Sequence, residues 1–64
     1  RNLGATVVAT ATRPGLPDRV VREPLMARTE KEALSRFKRD FLRRSPHQQL
    51  IDLRVETAVP PNET

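Results

Sequence analysis

Residues 3–12 read LGATVVATAT, with an apolar residue at every odd position from Leu3 to Ala11. A period of two that is rich in valine and threonine predicts a β-strand with one apolar face. The other face of this strand would carry small or β-branched side chains. These are Gly4, Thr6, Val8, Thr10 and Thr12. We expect the rest of the fold to assemble around this strand.

A loop and a second strand are predicted next. Residues 13–18, RPGLPD, contain two prolines, a glycine and an aspartate, which favours a wide turn between two strands. Residues 19–26, RVVREPLM, predict the second strand, although Pro24 interrupts it. Because proline has no N–H to donate to a strand ladder, this strand should lie at a sheet edge or stop early.

A helix is predicted to begin after Thr29. Residues 29–32, TEKE, fit a capping box, in which the Thr29 hydroxyl and the Glu32 carboxylate each accept a hydrogen bond from the backbone. The apolar residues that follow share one face at helical spacing: Ala33, Leu34, Phe37 and Phe41, with Leu42 at its margin. The helix should end at Ser45, because a residue that precedes proline avoids α geometry.

The last predicted element is a third strand. Ile51, Leu53 and Val55 alternate with Asp52, Arg54 and Glu56, a half-buried pattern. The order ββαβ predicts one small α+β domain over residues 1–59. Its three-stranded antiparallel sheet would have the order 2-1-3, with the helix packed on one face and the charged residues of the third strand on the other. Residues 60–64 are predicted to form a disordered polar tail.

Composition excludes several classes of protein. The chain has 64 residues, no cysteine and one histidine, so a disulfide framework and a thiolate site are excluded and a zinc site has too few ligands. No apolar run approaches the about 20 residues of a membrane span, and no signal-peptide pattern is visible. We therefore expect a cytoplasmic protein without a metal or small-molecule cofactor. Arg1 in place of methionine indicates a chain cut from a longer one.

Catalysis has little support in the sequence. His47 follows Pro46 in the turn before the third strand, and no nucleophile or oxyanion site is predicted beside it. Ser35 and Ser45 have no Ser-His-Asp arrangement around them. The separate glycines, of which there are two, do not form a phosphate-binding loop. We expect a binding protein and not an enzyme.

Positive charge is predicted to gather at one end of the fold. Lysine and arginine number 12 against 8 acidic residues, a formal net charge of +4. The first loop, the helix C-terminus and the start of the third strand should share one pole. The candidate nucleic-acid contacts there and on the helix are Arg13, Arg19, Arg36, Arg39, Arg43 and Arg44. Clustered guanidinium groups favour a polyanion as the ligand, because they match phosphate oxygens in charge and geometry.

The type of nucleic-acid contact is constrained by the aromatic residues. The chain has only Phe37 and Phe41, and both are needed for the core, so base stacking on exposed rings is not expected. Contact would be directed at phosphates without sequence specificity, as in a nucleoprotein accessory role. A structural explanation of the same arginines stays open. Cations in the last helical turn are stabilised by the helix macrodipole by about 0.3–1 kcal/mol.

The alternative function is protein–protein interaction, as a regulator, an inhibitor or a subunit adaptor. A sheet covered on one side leaves a second face and two edges, which can stack on or pair with another chain. The candidate interface residues are Thr6, Val8, Thr10 and Thr12. A core this small gains stability from a partner, either a foreign protein or a second copy. A monomer with a solvated, threonine-rich face is the simpler possibility.

Overall fold

The computed structural model describes residues 2–60. Three strands and one helix follow along the chain: β1 (Leu3–Arg13), β2 (Leu16–Ala27), α1 (Glu30–Arg44) and β3 (Gln49–Val59). β1 is central and pairs antiparallel with both neighbours, so the strand order is β2-β1-β3. The predicted α+β class, the ββαβ succession and the strand order are confirmed. Of the predicted tail, residues 61–64 lie outside the described residues.

The helix covers one face of the sheet. Side chains from odd-numbered positions of β1 form the base of the core: Ala5, Val7, Ala9 and Ala11. Above them lie Ala33, Phe37 and Phe41 of α1. The two phenylalanine rings stack, with their centroids 5.9 Å apart and their planes 22° apart. Because the base is mostly alanine, these rings are the bulkiest members of the buried cluster.

Both ends of the helix are capped where the sequence predicts. The Thr29 Oγ1 accepts a hydrogen bond from the Glu32 N–H at 3.0 Å. The Glu32 carboxylate accepts one from the Arg28 N–H at 2.6 Å, one residue before the expected donor. At the other end the Ser45 N–H donates to the Phe41 carbonyl at 2.8 Å. Polar groups that a helix terminus would leave unpaired are thereby satisfied at both ends.

The turn between β1 and β2 is tighter than predicted. Only Pro14 and Gly15 lie outside the strands, so β2 begins three residues before the predicted start. Gly15 has a φ of 74°, which residues with a side chain rarely adopt. Pro24 pairs with Thr6 inside β2 and does not end the strand. The predicted loop was too long because Pro17 was counted as a loop residue. An edge strand tolerates proline on the side that has no neighbouring strand.

Two register shifts in β3 were not predicted. They occur opposite Thr6 and Val7 and again between Val8 and Thr10. Beside the second shift, Asp52 has a φ of 54°, in the left-handed region that bulged residues can adopt. A bulge adds one residue to one strand, so it changes which of the following side chains face the helix.

The irregularity at Asp52 moves Ile51 away from the core. Ile51 pairs with Thr10, on the side of the sheet opposite the helix, and is 46% exposed. Leu53 and Val55 pack against the core as expected. The prediction that Ile51, Leu53 and Val55 share one buried face is therefore wrong for Ile51, because strict alternation does not continue through Asp52.

Replacing Thr29 with alanine should lower the free energy of unfolding by about 1 kcal/mol, because the Glu32 N–H loses its side-chain acceptor. Urea unfolding followed by circular dichroism measures the change. Ser35→Ala is the matched control, since Ser35 is exposed in the middle of the helix and alanine is a better helix former. A Thr29→Ala variant as stable as the parent chain would contradict the assigned cap.

Candidate functional site

Four arginines lie between positions 36 and 44 of α1, and two of them contact the edge strand β2. We call this surface the basic flank, and it consists of Arg36, Arg39, Arg43 and Arg44. Arg36 donates from Nη1 to the Met26 carbonyl at 2.6 Å. Arg44 Nη2 lies 3.7 Å from Glu23 Oε1. Since Met26 and Glu23 both belong to β2, these two contacts align the flank with that strand.

Carboxylates lie within ion-pair distance of each arginine of the basic flank. Glu32 Oε2 is 3.5 Å from Arg36 Nη2. Asp40 Oδ1 is shared, at 3.3 Å from Arg43 Nη2 and 3.8 Å from Arg39 Nε. The side chains of Arg39 and Arg43 remain 72% and 74% exposed. Exposed ion pairs contribute only about 0–1 kcal/mol, so a polyanion can compete with Asp40 for both arginines.

The net charge of the chain is concentrated in the second half of the helix. Residues 36–44 carry five cationic side chains and a single carboxylate, that of Asp40, which leaves +4. The formal charge of the whole chain is also +4, so the other residues sum to zero. Glu32 and Glu23 offset part of this charge at Arg36 and Arg44, so an approaching anion is attracted chiefly to the stretch that carries Arg39 and Arg43.

The two arginines of the hairpin lie apart from the basic flank. Arg13 donates from Nη2 to the Pro17 carbonyl at 3.1 Å, across the turn. Arg19 pairs with Ala11, and it lies four residues along β2 from Glu23, the contact of Arg44. At the usual rise per residue that separation is roughly 13 Å. Arg13 thus lies at the hairpin turn, and Arg19 lies farther along β2 than the residue that contacts Arg44.

The side of the sheet opposite the helix has no second layer within residues 2–60. We call it the open face. Cross-strand pairs divide it into rows, which we name after their β1 residue. From one end they are the Gly4 row (Met26, Gly4, Val59), the Thr6 row (Pro24, Thr6, Thr57), the Val8 row (Arg22, Val8, Arg54) and the Thr10 row (Val20, Thr10, Ile51). Two apolar rows therefore flank a neutral row and a charged one.

Large exposed apolar side chains are concentrated in the two outer rows. In the Gly4 row Val59 is 62% exposed and Met26 is 54% exposed. In the Thr10 row Val20 is 61% exposed, and Ile51 lies beside it across β1. Apolar side chains grouped on an uncovered face are typical of an interaction surface, whereas single exposed ones need no explanation.

Val8 contributes no exposed surface to the open face. It is only 1% exposed, and it lies between Arg22 and Arg54 in its row. Arg22 also forms an ion pair with Glu56, Nε to Oε1 at 2.8 Å, which joins β2 to β3 across the central strand. Of the predicted interface residues, Val8 is buried and the three threonines are half-buried: Thr6, Thr10 and Thr12.

A groove crosses the open face at the Gly4 row. Its volume is about 370 Å³, and its lining includes Gly4, Thr6, Pro24, Met26 and Val59. A Cβ built on Gly4 would lie 3.7 Å from Met26 Sδ and 4.0 Å from the Val59 carbonyl oxygen, which are ordinary contact distances. The groove therefore owes its depth to the missing side chain of Gly4, and the backbone there does not require glycine.

A smaller and more polar hollow lies at the turn end of the sheet. It has a volume of about 300 Å³ and is lined by Thr12, Arg13, Pro14, His47 and Gln49. This hollow places His47 and Gln49, which follow the helix, beside the hairpin turn. No group of three or more metal-ligating side chains occurs among residues 2–60, so His47 has no such cluster around it in that part of the chain.

Comparisons with known proteins give no further assignment. No family model matches the chain, and no curated protein or solved structure matches it. Over the described part of the chain, no helix combines the length and the apolar character needed to cross a membrane. Function is therefore inferred from the basic flank and the open face.

Val8→Lys should lower the free energy of unfolding by about 3 kcal/mol or more, because it places an ammonium group at a buried position of the central strand. Val20→Lys is the matched control, since Val20 is exposed on the same face, and its effect should stay within about 0.5 kcal/mol. Urea unfolding of dilute protein compares the two variants. Equal stability of both would contradict the burial of Val8.

Proposed function

We propose that this chain is a small, non-enzymatic binding module that holds a polyanion against its basic flank. The chief support is that residues 36–44 alone account for the net charge of +4. Guanidinium groups match the oxygens of a phosphate backbone, and neutralising phosphates releases their condensed counterions. A cytoplasmic accessory role in a nucleoprotein is consistent with such a surface.

Arg39 and Arg43 are the proposed primary contacts. They are the most exposed members of the flank, and they share the single carboxylate of Asp40. Arg36 and Arg44 are held by the Met26 carbonyl and by Glu23, so they frame the flank along β2. A polyanion that displaces Asp40 gains two guanidinium groups and disturbs no contact with the core.

Contact should be independent of base sequence. Both phenylalanines are buried, at 2% and 5% exposure, and the chain has no tyrosine or tryptophan, so no benzene or indole ring is exposed for base stacking. The hairpin arginines, Arg13 and Arg19, extend the surface for a long ligand. Arg19 lies roughly 13 Å along β2 from Glu23, the residue that contacts Arg44, which corresponds to about four base pairs at 3.4 Å each.

The double variant Arg39→Gln/Arg43→Gln should weaken binding to duplex and single-stranded oligonucleotides of any sequence. Fluorescence anisotropy across a salt series measures it. The slope of log affinity against log salt for duplex should fall by about 1.8, because two phosphate contacts are lost at about 0.9 each. Asp40→Asn should raise affinity, because the competing carboxylate is removed.

A charge-matched control separates the basic flank from bulk charge. Arg28→Gln/Lys31→Gln removes two exposed cations near the other end of the helix and lowers the net charge equally. It should affect binding less than the flank variant does. No binding at low salt, or equal losses in the two double variants, would contradict the flank as the binding surface.

Protein interaction through the open face is a second candidate function. It is favoured by four large apolar side chains exposed in two rows of an uncovered sheet: Val20, Met26, Ile51 and Val59. A regulator, an inhibitor or a subunit adaptor could use such a face. The basic flank belongs to the helix, which covers the other side of the sheet, so the two functions use different surfaces.

A neutral apolar dye such as Nile red should bind dilute protein at the open face and fluoresce more strongly. The double variant Val20→Thr/Ile51→Thr should reduce the signal, because it replaces two of the four large apolar side chains that are exposed on this face. Leu16→Thr is the control, since Leu16 is 55% exposed but follows the hairpin turn, beyond the rows. Loss of signal in the control alone would contradict an apolar interaction surface on this face.

A further inference from the structure

We propose that the partner of the open face is a second copy of this chain, packed sheet against sheet. In this dimer the Gly4 row of each copy lies on the Thr10 row of the other. The inference rests on the second candidate function, protein interaction through the open face. It does not depend on polyanion binding by the basic flank.

The two apolar rows are complementary in shape. The Gly4 row is a groove of about 370 Å³, because its central residue has no side chain. The Thr10 row has a side chain at all three positions, and its two ends, Val20 and Ile51, are exposed. In the dimer Thr10 therefore enters the groove above Gly4, Val20 meets Met26 and Ile51 meets Val59, whereas two Gly4 rows face to face would enclose an empty space.

A single two-fold axis can pair the two rows in both directions. The Gly4 and Thr10 rows lie equally far from Val7 along β1. A two-fold axis that crosses the strands at Val7 therefore brings each Gly4 row onto the partner's Thr10 row at the same time. Such an isologous arrangement uses the same patch on both copies and closes on itself.

Charge distribution favours the same arrangement. The axis at Val7 places the Val8 row, with Arg22 and Arg54, on the partner's Thr6 row, which carries no charge. The alternative two-fold axis, parallel to the strands, would stack one Val8 row on the other and bring Arg22 against Arg54, where the Glu56 carboxylate of each copy offsets only one of its two arginines. Like charges placed together in an interface oppose association.

The available area indicates a weak dimer. The overlapping part of the two sheets covers nine residues of three strands, a projected footprint of roughly 400 Å² per copy at usual strand dimensions. Side chains that interdigitate bury more than this projection. For the two copies the projection totals roughly 800 Å², below the about 1,200 Å² at which stable specific interfaces begin and in the range of weak encounters. We therefore expect association at micromolar or higher protein concentration, with both helices on the outside and both basic flanks exposed.

The first test is sedimentation velocity over a concentration series up to about millimolar protein. The wild-type chain should shift from monomer to dimer. Gly4→Val should weaken dimerisation about tenfold or more, because it fills the groove. It should not destabilise the monomer, because a Cβ at this position meets no contact closer than 3.7 Å and valine favours a strand. Thr12→Val is the control, since Thr12 lies outside the overlapping rows, and it should dimerise normally.

The second test checks which rows meet. Val20→Glu and Met26→Lys should each be monomeric, because each buries a charge opposite an apolar row. An equimolar mixture of the two variants should recover a heterodimer, since the new carboxylate and ammonium groups face each other and the second pair of rows is unchanged. Circular dichroism confirms that both variants are folded.

The outcomes separate the proposals. A wild-type chain that stays monomeric throughout the series overturns the second copy as partner, yet Nile red binding that is lost in Val20→Thr/Ile51→Thr would still show an accessible apolar surface on the open face. Dimerisation that survives Gly4→Val, or a variant mixture that stays monomeric, overturns the pairing of Gly4 and Thr10 rows. Oligonucleotide binding by the basic flank is measured independently of each result.

Discussion

The central position of β1 is the constraint on which the rest of the structure depends. It pairs along most of its length with β2 on one side and β3 on the other, so its residues fix the register of the whole sheet. Its odd-numbered side chains are small, and one helix with two stacked phenylalanines is enough to cover them. The same helix cannot reach the opposite face. Residues 2–60 contain no other element to cover it, so that face has no second layer.

Local signals account for much of the fold. Thr29 and Pro46 bound the helix because capping and the restriction before proline act over a few residues. The edge position of β2 follows from Pro24, since a missing N–H is tolerated only there. The bulge at Asp52 had no such signal, because long-range pairing with β1 decides where β3 gains a residue. A prediction from strict alternation therefore places Ile51 on the wrong face of the sheet.

The candidate surfaces were predicted to different degrees. Arg36, Arg39 and Arg43 could be grouped from their spacing alone, since residues three and four apart share a helix side. Their contacts with β2 could not, because the Arg44–Glu23 pair joins elements whose relative placement depends on packing. The threonines of β1 predicted an interaction surface on the open face. Val8 on that face is buried, and the large exposed apolar residues belong to the neighbouring strands. Cross-strand register was needed to identify them.

The placement of β3 side chains determines both the core and the open face, and methyl-directed nuclear Overhauser spectroscopy tests it most directly. With the register shift at Asp52, the Leu53 methyls should show cross-peaks to core methyl or ring protons. Ile51 should instead show cross-peaks to the Thr10 methyl and none to the phenylalanine rings. Cross-peaks from both Ile51 and Leu53 to the Phe37 or Phe41 ring would show uninterrupted alternation. That result would contradict the assigned register, and with it the apolar Thr10 row.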